Sequence, residues 1–226
     1  MRIIDLIKTN WEKLLAGMDE AKRERYGLVL HRLMESLQGL KIRATDLVNV
    51  ESKITSGGDV SHDLQVEYLN RVEGYHQQVY STLSNLIMVA NFYGIRGKKL
   101  GHPFSSVQSF LHFMKDKCEY GNSRDKEHYA KMINTLERSV IFRSQQVDHP
   151  QQNKTQHWMT YDWNGKGYII YYVPKSRNVY ARGLAESDPD TPMFRPSVDC
   201  ESFSVSPRED LTQQAIIDFT AYILDL

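Results

Sequence analysis

One feature constrains the fold of this chain more than any other. Tyr68, Val72, Tyr75, Val79, Leu83, Leu86, Ala90 and Tyr93 recur at steps of three and four. That spacing puts all eight on one face of a helix. A stripe this long must be buried against other helices, and the rest of the first 143 residues supplies them. Ile3, Ile4, Leu6, Ile7, Trp11, Leu14 and Leu15 predict a short amphipathic helix closed by Gly17. From Asp19, Tyr26, Val29, Leu30, Leu33, Leu37 and Leu40 predict a second helix to about residue 38, with a continuation past Gly39 towards Ile54. Ser105 or Ser106 opens another, carrying Val107, Phe110, Leu111 and Met114. The last of the series carries Tyr129, Met132, Ile133, Leu136 and Val140 and ends near Arg143.

The texture changes near residue 155. His157 to Trp163 and Tyr168 to Val173 are rich in aromatic and β-branched residues, with Asn164-Gly-Lys-Gly167 as a hairpin turn between them. Ser206-Pro-Arg-Glu209 then reads as a capping box. It opens a helix with Leu211, Ala215, Phe219, Tyr222 and Leu226 on its buried face. The expectation is an α+β chain with an N-terminal helical bundle, a small antiparallel β-sheet and a C-terminal helix. The predicted division is a bundle over 1–150 and, over 151–226, the sheet and final helix packed on it.

Lys plus Arg equals Asp plus Glu at 28 each. The balance argues against a protein that coats nucleic acid by bulk charge and leaves room for a local basic site. No run of apolar residues is long enough for a membrane span, and the first residues do not read as a secretory signal. Cys118 and Cys200 do not make a disulfide framework. A reduced cytoplasmic setting, away from the membrane, is the expectation.

The chemistry-bearing candidates are Arg–His pairs across four to six residues. Four occur: Arg25/His31, Arg71/His76, Arg96/His102 and Arg143/His149. Chance alone would supply about 1.5, so placement has to separate them. On a continuous helix five positions turn about 140° and six about 240°, so the first two pairs should diverge. The last two straddle a helix stop, where the His can fold back. Arg143 extends the buried stripe of its helix at the C-terminal end, where the dipole favours a cation. Pro150 limits continuation of that helix. Arg can hold a phosphate and offset developing charge; His moves a proton near neutral pH.

The helical region 1–150, ending in Arg143-Ser-Gln-Gln-Val-Asp-His149, resembles the HEPN family of compact helical bundles. Members carry an Arg, four to six residues and a His at the end of a late helix. A polar residue, often Asn, Asp or His, usually follows the Arg; here it is Ser144. The resemblance implies a metal-independent endoribonuclease of a bacterial defence or toxin type, with Arg143 and His149 catalytic and no cofactor. It further implies a homodimer with RNA in the shared cleft, and an antitoxin or other protein as partner. Non-catalytic members make a helical protein-interaction module the alternative.

Arg96, Lys98, Lys99 and His102 lie in the glycine-rich loop Gly94 to Pro103. They are an auxiliary RNA contact or a solvated basic loop; no Gly-Lys-Ser or Gly-Lys-Thr makes the loop a P-loop. His149, His157, Asp148 and Asp162 fit no metal-ligand spacing, so no metal is expected. The aromatics between Trp158 and Tyr172 read as sheet packing before base stacking.

Overall fold

The computed structural model describes residues 2–55, 61–118, 123–143, 156–161, 167–174, 200–203 and 212–226. Along them run α1 (Arg2–Thr9), α2 (Trp11–Leu14), α3 (Glu20–Thr55), α4 (His62–Tyr93), α5 (Val107–Cys118) and α6 (Ser123–Arg143). The short segments β1 (Gln156–Tyr161), β2 (Gly167–Pro174) and β3 (Cys200–Phe203) follow, and then α7 (Thr212–Leu224).

The α+β expectation is corrected to a mainly helical fold. Helix makes up 84% of the residues whose side chains are described, and none of those residues lies in a strand or sheet. What the structure holds of β1, β2 and β3 is backbone pairing, antiparallel in the order β1-β2-β3. One physical reason accounts for the difference. Aromatic and β-branched enrichment is a context-dependent signal and does not by itself create a buried sheet face. Helix continues past Gly39 towards Ile54, as the sequence leads one to expect. Gly39 does not end α3, and Ala44, Leu47, Val50 and Ile54 carry its buried stripe to Thr55. A Cβ on Gly39 would lie 3.1 Å from the Gln78 amide, so this glycine admits a neighbour's side chain. At the N-terminus the single short helix is two, interrupted at Asn10, whose side-chain amide donates to the Leu6 carbonyl at 2.9 Å.

The chain divides into two compact units, each assembled from separated stretches. One comprises Met1–Ile42, Gln78–Leu136 and Leu211–Leu226; the other comprises Arg43–Gln77 and Glu137–Asp210. In the first, α3 and α4 run antiparallel. Tyr26 is buried and stacks near-parallel on Tyr93 and Phe92, with ring centroids 5.0 and 5.8 Å away. Further along, the Ser36 carbonyl accepts from Gln78 Nε2 at 3.1 Å and Thr82 Oγ1 at 3.2 Å. Phe219 of α7 fills the space between Phe110 of α5 and Tyr129 of α6, at 6.2 and 5.7 Å.

Helix starts follow side-chain chemistry. Asp19 caps α3, its carboxylate accepting from the Lys22 backbone N–H at 2.9 Å. Ser61 caps α4 through Leu64 N–H at 3.2 Å, and Ser106 caps α5 through Ser109 N–H at 3.1 Å. No described helix is long and apolar enough to cross a membrane.

In the second unit the stripe Ala44, Leu47, Val50 and Ile54 of α3 and the stripe Tyr68, Val72 and Tyr75 of α4 are buried, and partly exposed ion pairs join the two helices. Arg71 lies 3.3 Å from Asp46 and 3.7 Å from Glu67, and Lys53 reaches Glu67 at 3.9 Å.

Candidate functional site

α6 is described as far as Arg143, the residue near which the sequence predicts a helix stop. Ser139 and Arg143 stand one helical turn apart and therefore share a face. Opposite them on α4 are His76 and Gln77. The His76 Nδ1 and Ser139 Oγ are 2.7 Å apart, and Arg143 Nε donates to Gln77 Oε1 at 2.9 Å. All four belong to the second unit.

The two contacts differ in access. His76 and Ser139 are fully buried. Burial lowers the His76 pKa to about 3, because the charged ring would lose its hydration, so the imidazole is neutral at physiological pH. Tyr75 packs edge-on against it at 5.1 Å. A Ser–His pair sealed in this way cannot meet a substrate, and it serves to lock α6 to α4. Arg143 is only half-buried. One edge of its guanidinium is fixed by Gln77, which orients a planar fork suited to an oxyanion.

His149 lies outside the described residues, as do Ser144, Asp148, Pro150 and the Ser206–Glu209 cap. The two helical Arg–His pairs diverge. Arg71 turns to Asp46 and Glu67 while His76 turns to Ser139; His31 lies 3.3 Å from Glu35 on its own helix.

The glycine-rich loop is a defined turn. Ile95 and Lys98 exchange both backbone hydrogen bonds at 3.0 Å. Arg96 and Gly97 between them have φ of 52° and 72°, a two-residue turn of the kind with positive φ at both central positions. Gly94 has φ of 91°, and a Cβ there would lie 2.1 Å from the Lys98 carbonyl oxygen. The same turn occupies Arg96. Its N–H donates to the Ile223 carbonyl at 2.8 Å, its Nε to Asp225 at 2.8 Å, and its guanidinium lies over the Tyr222 ring at 5.8 Å. Lys98, Lys99 and His102 are exposed. Of the four expected RNA contacts, Arg96 is therefore committed to α7.

Among the described residues no group of three His, Cys, Asp or Glu side chains is placed to share a metal ion. Sequence reasoning missed Gln77, the His76–Ser139 contact and Arg43. Gly74 was a legible signal for Arg43. A Cβ on this mid-helix glycine would lie 3.3 Å from Arg43 Nη1, so the guanidinium lies close against α4. Arg43 also lines a cleft of about 490 Å³ with His62, Asp63, Val66, Glu67, Asn70 and Arg71.

Comparison with known families, curated proteins and solved structures gives no match.

Proposed function

We propose that the protein is a metal-independent endoribonuclease of a bacterial defence or toxin type, using Arg143 and His149. The supporting observation is Arg143 itself: the last described residue of α6, half-buried, with Nε held by Gln77. A cation so placed is pre-oriented for phosphate. His149 takes the proton of a ribose 2′-hydroxyl, and that oxygen attacks the adjacent phosphorus. Arg143 offsets the charge on the non-bridging oxygens. The 5′-oxygen leaves with a proton taken from water, the proton on His149 returns to solvent, and a 2′,3′-cyclic phosphate remains. DNA lacks the attacking hydroxyl. The active form is a homodimer, held in check by an antitoxin-like protein partner.

The test is RNA cleavage in EDTA by the wild type, His149→Ala and Arg143→Ala, with folding followed by circular dichroism. Loss of the proton-transfer group lowers the rate about 10²–10⁴-fold, and Arg143→Ala is similarly impaired. Equal cleavage by all three proteins removes the site.

A second reading, a protein-interaction module without catalysis, is favoured by one observation. Met88 and Phe92 stand one turn apart on α4, each 43% exposed. An apolar pair in water on one helix face suits a partner surface. No cleavage under any RNA or partner condition would select it.

A further inference from the structure

We infer that Arg43 is a second phosphate-holding residue, and that it and Arg143 form one anion-binding stripe along α4 for the backbone of single-stranded RNA. The inference rests on the ribonuclease reading for its choice of ligand and on the second unit's geometry for its location.

Asn70, Gly74 and Gln77 lie within about 60° of one another around α4. Two arginines from different helices meet that face. Arg143 of α6 bonds Gln77 at 2.9 Å, and Arg43 of α3 lies against Gly74, with Nη1 3.3 Å from where a Cβ would stand. The two attachment points are about 4.5 Å apart along the helix axis. That spacing lets adjacent phosphodiesters of one strand be held together. Glycine inside a helix costs about 1 kcal/mol relative to alanine, so Gly74 has a reason to be there: it leaves room for the Arg43 guanidinium.

The charges sort themselves in the same way. Arg71, the residue after Asn70 and about 100° around the helix from it, is answered by Asp46 and Glu67, and Glu67 also meets Lys53. Arg43 is exposed, and among the described residues it has neither a hydrogen bond nor an ion pair. Its cleft continues along α4 past the Asn70 amide and Val66 to His62, and Glu67, engaged by Arg71 and Lys53, lines it as well. Asp63 stands on this cleft too, about two turns along α4 from Asn70. A strand entering here would place phosphates on the arginines and its sugars and bases over Asn70 and Val66.

The experiment measures binding apart from cleavage. A fluorescein-labelled single-stranded RNA carrying 2′-O-methyl groups cannot undergo 2′-hydroxyl attack, so its anisotropy reports binding alone. Arg43→Ala is expected to bind about tenfold more weakly than wild type, the loss of one charge-assisted contact. The slope of log affinity against log salt should fall by about 0.7, one phosphate on a single strand. Arg43→Lys should recover most of the slope and less of the affinity. Arg25→Ala, on the first unit, should match wild type. Identical affinity and slope for Arg43→Ala and wild type would overturn the inference even if unmodified RNA is cleaved. Absence of wild-type binding would overturn it as well. Binding without cleavage of unmodified RNA would remove the catalytic reading and leave the stripe standing.

Discussion

At the scale of single residues, His76 ties acidity to stability. Its folded pKa of about 3 lies below the unfolded value of about 6.5. The unfolded chain therefore binds the extra proton between those values. Stability is full above about pH 6.5 and falls as pH drops towards 3, by about 1.4 kcal/mol per pH unit. Between pH 7 and pH 5 the wild type should lose about 2 kcal/mol that His76→Gln does not lose, as urea unfolding at both pH values would show. Equal losses would mean that His76 titrates normally. The residue was legible only in part. Its position beside Tyr75 and between Val72 and Val79 puts it on the buried face of α4, but the hydroxyl waiting on α6 is 63 positions away and no local spacing announces it. Arg71 and His76 show the opposite case. Five positions on one helix settle their divergence without any knowledge of tertiary partners.

Among elements, α7 has the most informative end. Asp225 follows it with φ of 56°, and Leu226 N–H donates back to the Ala221 carbonyl at 3.1 Å, as in a left-handed C-terminal cap. Asp225 is also the partner of Arg96, an ion pair exposed on both sides. Such pairs contribute little, whereas a non-glycine residue with positive φ is strained by about 1–2 kcal/mol. Asp225→Gly should therefore be neutral or slightly stabilising, and Asp225→Ala destabilising by roughly 1 kcal/mol. Thermal unfolding of the two variants beside wild type decides the order. A greater loss for the glycine variant would give the ion pair the larger role. The stripes of α4, α5 and α6 were read correctly because three- and four-residue steps are local. The continuation of α3 through Gly39 was only half visible, since the Gln78 side chain that makes the glycine useful comes from a distant part of the chain. The basic loop was recognised as a loop, but its turn conformation and the engagement of Arg96 by α7 needed contacts 129 positions apart.

For the whole molecule, the share of helix was underestimated and that of sheet overestimated, for one reason. Periodicity over eight residues fixes a helix face, but a few aromatic and β-branched residues do not fix a sheet without knowing what covers it. The proposed homodimer is a property of this scale. Sedimentation at micromolar concentration should give twice the single-chain mass, and a single-chain species alone would count against the proposal. The division into units has a further consequence, for synthesis. The first unit needs residues 1–42, 78–136 and 211–226 together, and Phe219 is the ring that Phe110 and Tyr129 close around. During translation α3 and α4 can pair as soon as both have emerged, but this core stays open until α7 leaves the ribosome. Until then the nascent chain exposes the apolar surface that α7 covers.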